Sequence, residues 1–294
     1  MVELGTDVAP VGAQLAGIRA AREAFPDIPH IAVFDTAFHQ SMPPEAYTYA
    51  IDRDVAEQYA IRRYGFHGTS HESASRAAAS LLKRPLEELK QVILHLGNGA
   101  SMTAIDAGRS IDTSMGMSPL AGLVMGTRSG DIDPAVNGYL SREAGMIAAE
   151  VDQLLNKQSG MFGLTGHTDM RDVLAAADAG DQDALLALDV YVHRIRHYLG
   201  AYLLELGGVD VITFTGGVGE HEARIRARIL ADLEWLGIEL DPELNAAGPP
   251  TDTGNNAILG WSIGAADAPV AVLVIPADEE REIARQTLGA ISAR

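Results

Sequence analysis

The chain has 294 residues, 47% of them apolar, so it is long enough for one large domain or two lobes around a sizeable core. It contains no cysteine, which excludes disulfides, thiolate metal sites and a thiol nucleophile. Its formal net charge of −18 argues against nucleic acid as a partner, and any anionic substrate must be held by local cations rather than by the field of the whole protein.

The opening residues, MVELGTDVAP, carry neither a basic nor an apolar signal region, and no apolar run reaches membrane-spanning length. A cytoplasmic protein is the simplest expectation. In chain order, Pro29–Phe34 (PHIAVF) predicts a short strand ending at Asp35. Gln91–Leu96 (QVILHL) predicts a second strand. The turn Gly97-Asn98-Gly99 then returns the chain along Ser101–Ile105, because Asn-Gly between two apolar runs is a strong hairpin signal. After Asp106-Ala107-Gly108-Arg109, residues Ser110–Thr113 complete a β-β-β unit.

Helices are expected at Ala135–Glu143, Ala148–Lys157 and Asp189–Leu206. In the last, Val192, Ile195, Leu199, Tyr202 and Leu206 recur at helical spacing, with Gly207 and Gly208 placed to end it. Val209–Phe214 predicts a buried strand running into Gly216-Gly217-Val218-Gly219 and a helix over Glu222–Leu236. A late strand, Val270–Ile275, leads to a last helix, Glu279–Leu288. Hairpins first and alternating strands and helices later imply an α/β chain with a mostly parallel sheet. This is the pattern of one lobe of the actin-like ATPase (ribonuclease H-like) fold. Before Gln91 no second β-β-β set is present.

Several segments carry candidate chemistry. Glycines in Gly97-Asn98-Gly99 allow close approach of a phosphate, or form a plain hairpin turn. The run from Gly216 to Gly219 lies between a strand and a helix, a place where nucleotides bind, but it is neither a Walker A loop nor a full GxGxxG. His67 and His71 are four apart, yet no HExxH glutamate or third ligand accompanies them, which argues against zinc. A helix capped by Thr69 or Ser70 and a phosphate-facing His67 remain the two readings there. Met125–Pro134 holds Arg128 among glycines and aspartates, as an anion clamp or a solvated loop. Asp35 ends its strand either at an active-site position or as a turn cap.

Together these segments resemble the acetate kinases. The resemblance rests on VFDTAFHQSMP at Val33–Pro43, RRYGFHGTSH at Arg62–His71, HLGNGAS at His95–Ser101 and the long run Asp112–Pro134. It continues with TFTGGVGEHEA at Thr213–Ala223 and PADEEREIA at Pro276–Ala284. It implies phosphoryl transfer between ATP and acetate, with propionate or butyrate as alternative acceptors, and Mg²⁺ or Mn²⁺ as the metal. It implies Asp35 as the catalytic aspartate near the metal, with His67 and Arg128 on the transferring phosphoryl group. His95, Asn98 and Gly99 would line the ATP phosphates, and Gly217 and Gly219 would border the nucleotide. Asp169, Met170 and Arg171 would contact adenosine, with Met in place of the family's Phe. Phe66 and Pro119 would line the acyl pocket, and Glu279 would help hold the metal.

The family's opening Asn-x-Gly-Ser-Ser-Ser-x-Lys motif has no match here. The expectation is therefore an N-terminally truncated member, or a gene model begun at an internal Met. Residues 1–36 and 280–294 would be a remnant of the first lobe and 37–279 the second, nucleotide-binding lobe. Binding of ATP with little turnover is expected on that view, with Pro29–Phe34 and the last helix exposing apolar surface. A homodimer is the assembly that the family implies.

Overall fold

A computed structural model describes residues 9–250 and 259–292; most of the polar opening stretch Met1–Ala13, residues 1–8, lies outside them. The chain divides into two compact units, Met1–Val33 with Ile283–Arg294, and Phe34–Glu282. The first contains a helix, Ala9–Ala24, and exposes Phe25, Ile28 and Leu288. The expected strand Pro29–Phe34 is not formed. Among the described residues no strand pairs with it, so its backbone has no ladder to join, and Phe34 is 68% exposed.

The second unit is built on a six-stranded sheet: β1 (Lys90–Leu96), β2 (Ala100–Asp106), β3 (Arg109–Thr113), β4 (Val211–Thr215), β5 (Trp261–Ser262) and β6 (Ala271–Val274). Their order is β3-β2-β1-β4-β6-β5. β1, β4 and β6 run parallel, and the hairpins β1-β2 and β2-β3 are antiparallel. The first hairpin has the anticipated turn, with Leu96 opposite Ala100 and the Gly97 N–H donating to the Gly99 carbonyl at 3.0 Å.

Side chains alternate across β1. Val92, Leu94 and Leu96 enter one core with Ile212, Phe214 and the long helix Gln182–Leu206, whereas Ile93 enters another with Ile105, Leu273, Ala74 and Ala78. Both faces are therefore covered, which is why β1 is buried on both sides, and the two polar residues on the Ile93 face, Gln91 and His95, meet Ser75 and Ser70 on the covering helix. The face residues Val192, Ile195, Leu199, Tyr202 and Leu206 are all buried, as their spacing predicts, and Gly207 ends the helix at φ +63°. The helix begins at Gln182 rather than Asp189. Asp181 accepts from the backbone N–H groups of Asp183 and Ala184, and Ala184, Ala187 and Leu188 continue the buried face.

Helices Ala135–Glu143 and Ala148–Lys157 occur at the expected bounds. The single helix expected over Glu222–Leu236 is instead a helix at Ala223–Leu230 and a 3-10 turn at Glu234–Leu236, and a further short helix, Gly216–His221, occupies the glycine run before it. Arg196, reaching over from the long helix, donates to the carbonyls of Ile229 at 2.8 Å and Ala231 at 2.7 Å. It thereby satisfies carbonyl groups where the helix stops. No described helix is long and apolar enough to cross a membrane.

Candidate active site

The helix Gly68–Leu82 packs on β1, and its first residues meet the β1-β2 turn. The chain enters this helix through His67, held at φ 56°, a conformation that costs a non-glycine residue energy. Asp35 fixes it there. Its Oδ2 accepts from the His67 N–H at 2.6 Å, and its carbonyl accepts from the Gly68 N–H at 2.8 Å. Any side chain at Gly68 would collide, because a Cβ there would lie 2.2 Å from the Asp35 carbonyl oxygen.

His67 and Arg128 converge above Gly99. A Cβ built on Gly99 would sit 3.5 Å from Arg128 Nη1 and 3.5 Å from His67 Nε2. The turn thus brings its backbone against both an imidazole and a guanidinium. Arg128 is steadied by donating to the Pro119 carbonyl at 3.3 Å and to Met125 Sδ at 3.6 Å. Burial lowers its pKa, but a guanidinium stays protonated throughout the physiological range.

Three more histidines lie close by. The His67 and His95 rings are 4.2 Å apart, and His71 lies 5.8 Å from His39 and 6.3 Å from His95. Hydroxyls link them. Ser101 Oγ is 2.9 Å from His67 Nδ1 and 2.8 Å from His71 Nε2, Ser70 Oγ is 2.8 Å from His95 Nδ1, and Ser110 Oγ is 2.9 Å from His39 Nδ1. Burial holds all four neutral. It lowers His39 and His67 to about 4 and His95 to about 3, and pushes His71 well below the usual range. The Arg128 charge adds to the effect at His67. A neutral imidazole beside a cation can hydrogen-bond an anion without needing a counter-ion of its own.

Asp35 also faces Glu279, the first residue of the last helix. Burial raises the Glu279 pKa, and the Asp35 charge raises it further. Two carboxylates near enough to feel each other's charge are a donor set that would suit a divalent cation such as magnesium.

Beyond the turn opens a cavity of about 660 Å³. Asn98, Asp169, Met170, Arg171 and Gly217 line it, as do Gly97, Gly126, Met161, Thr168, Tyr191, Val218, His221 and Glu222. Asp169 caps the helix Met170–Asp178 by accepting from the Arg171 N–H, and its carboxylate is forked by the Arg171 guanidinium, which holds it down to about 2. Met170 is mostly buried in the core beneath. Gly219 does not line the cavity; it packs beneath it against Phe214. The Phe66 side chain packs on the core near the turn, with its carbonyl accepting from His39 Nε2 at 3.0 Å.

The family model of the acetokinase family matches residues 4–285. The chain belongs to the acetokinase family. It is 61% identical over 290 residues to an acetate kinase of Leifsonia xyli subsp. xyli, covering 98% of this chain and 71% of that protein. Its structure superposes on that of an acetate kinase from Porphyromonas gingivalis with a TM-score of 0.89, at 40% identity and covering 95% of this chain and 68% of that one. A propionate kinase from Francisella tularensis gives a TM-score of 0.84 at 41% identity, covering 93% and 67%. The architecture is the actin-like ATPase fold of these acetokinases.

One residue that shapes this acetokinase cavity escaped the sequence reading. Arg226 is 1% exposed. It donates to the carbonyls of Gly219 at 2.8 Å and Glu220 at 2.9 Å and to Asn245 Oδ1 at 2.7 Å and Asn245 O at 2.8 Å. Its guanidinium therefore locks the glycine-rich segment that forms one wall. The only signal in sequence was a charged residue on the apolar face Ile225, Ile229 and Leu230, which spacing alone cannot tell from an exposed position. Arg226→Met should lower stability by about 2–4 kcal/mol by leaving several buried acceptors without a donor. Urea unfolding of the variant and parent checks this.

Proposed function

We propose that this chain transfers the γ-phosphoryl group of ATP to acetate, forming acetyl phosphate and ADP, and runs the reverse reaction as well. The observation that carries the reading is the convergence of Arg128 Nη1 and His67 Nε2 on the glycine turn, each 3.5 Å from where a Cβ on Gly99 would stand. Acetate is already ionised at neutral pH, so no general base is needed. The task is to bring one anion in line with another. Arg128 and neutral His67 supply donors for the phosphoryl oxygens as charge spreads over them. Asp35 and Glu279 would hold Mg²⁺ or Mn²⁺, which would neutralise phosphate charge when bound. His95, Asn98 and Gly99 would accommodate the ATP phosphates, and the large cavity would accommodate adenosine between Asp169, Met170, Arg171 and Gly217. Phe66 and Pro119 border the acyl group. The protein acts as a cytoplasmic homodimer on this reading.

The resemblance to a propionate kinase makes propionate the second substrate to try, since one methylene changes discrimination by only about 1–3 kcal/mol. Trapping the acyl phosphate with hydroxylamine, with each acid and with ATP and Mg²⁺, tests the proposal. Hydroxamate formed from acetate at a rate above that with propionate is the expected result. Tight ATP binding with no hydroxamate from either acid would leave a nucleotide-binding protein without turnover.

A further inference from the structure

We propose that Ser101 and His71 are positioning residues that fix the tautomer of His67, so that its Nε2 always presents a proton to the cleft. The inference rests on the proposed phosphoryl-transfer reading for its purpose, but not for its geometry.

A hydroxyl donates one proton. Ser101 is fully buried, and its Oγ has as polar partners among the described residues only two ring nitrogens, His67 Nδ1 at 2.9 Å and His71 Nε2 at 2.8 Å, so its O–H must donate to one of them and the oxygen accepts from the other. The direction is set at His71. This ring is fully buried, and its Nδ1 has no hydrogen-bond partner among the described residues. A neutral imidazole carries its proton on one nitrogen only. With the proton on Nδ1, a buried N–H would have no acceptor, and buried orphan donors are rare. With the proton on Nε2, the N–H is satisfied by Ser101 and only a lone pair is left alone. His71 Nε2 therefore donates to Ser101 Oγ. Ser101 in turn donates to His67 Nδ1, and His67 must carry its proton on Nε2. That is the nitrogen facing Gly99 and Arg128.

His39 shows the same device with an unambiguous end. Its Nε2 meets the Phe66 carbonyl, an obligatory acceptor, at 3.0 Å, so Nε2 carries the proton and Ser110 donates to Nδ1. The consequence for His67 is chemical. The opposite tautomer would turn a lone pair toward phosphoryl oxygens and repel them. Burial keeps the ring neutral, so the tautomer rather than protonation decides whether it donates.

Nitrogen-15 spectra of histidine-labelled protein at neutral pH, without substrate, test this directly, with the His67 signals assigned by their loss in His67→Gln. A pyrrole-like Nε2 and a pyridine-like Nδ1 at His67 are expected. A protonated Nδ1 would overturn the proposal. The matched pair Ser101→Thr and Ser101→Val, alike in size and differing in the hydroxyl, adds a second readout. Ser101→Val should mix the His67 tautomers and lower kcat roughly 10- to 100-fold, the range for loss of a partner that orients an active-site ligand. KM for ATP should stay within about twofold, and Ser101→Thr should restore most of the rate. Equal tautomer populations and rates in the two variants would sink the idea. If Ser101→Val does not fold, the spectrum of the unaltered chain still decides. The expected tautomer in a chain that forms no acyl phosphate would refute the kinase reading and leave this one standing.

Discussion

Replacing Arg128 with alanine should lower kcat by about 100- to 1000-fold, the cost of removing one preorganised donor from a site where charge develops in the transition state. The guanidinium lies over the Gly99 turn beside His67 and is held by the Pro119 carbonyl and Met125 Sδ. Its role would be to meet the phosphoryl oxygens, not to hold the core together. Folding stability should accordingly change by less than about 1 kcal/mol, as at other sites that are not core positions. Arg128→Lys should recover little, because an ammonium keeps the charge but loses the planar fork that engages two oxygens. Initial rates of acyl hydroxamate formation for both variants, alongside urea unfolding, separate lost chemistry from lost structure. A rate for Arg128→Ala within tenfold of the parent would remove Arg128 from the mechanism.

Mild acid should unfold this protein. His39, His71 and His95 are buried and neutral, and the folded values of His39 and His95 are about 4 and about 3 against an ordinary 6.5. Burial is the main cause at each. The Asp35 charge pulls His39 and His95 back upward without offsetting burial. Between the two values each ring binds a proton when unfolded but not when folded. Stability is therefore unaffected above about pH 7 and falls as pH drops through 6.5 toward the folded values. By linkage, each such imidazole removes about 2 kcal/mol at pH 5 relative to pH 7. Three of them together approach about 6 kcal/mol, a large part of the 5–15 kcal/mol typical of a folded domain. Urea midpoints measured from pH 8 to pH 5 should show the plateau and then the decline. A midpoint that is level down to pH 5 would mean that these rings are accessible to water.

Arg128 and His67 stood in motifs that the sequence displays outright, and the hairpin turn at Gly99 was legible because Asn-Gly between apolar runs has few other uses. The long helix was legible through Val192, Ile195, Leu199, Tyr202 and Leu206, whose spacing fits one periodicity only. Its true start was not, because Ala184 and Ala187 carry too little side chain to mark a face until something packs on them. The strand expected at Pro29–Phe34 failed for the opposite reason. Its residues suit a strand, but a strand exists only where another backbone offers hydrogen bonds, and none of the described residues does so.

The sequence by itself determined the family, the β-β-β start of the sheet and the residue types available for phosphate chemistry. Local spacing and turn chemistry suffice for those, since they act over a few residues. Only the tertiary structure decided that Ser101 lies between His67 and His71, that Asp35 from a distant segment sets the His67 backbone, and that Arg226 braces the glycine-rich wall. Those contacts join residues up to 34 positions apart in the site, and burial sets the charge state of each ring. Neither separation in space nor exclusion of water is a property of a string of residues, so both had to await the fold.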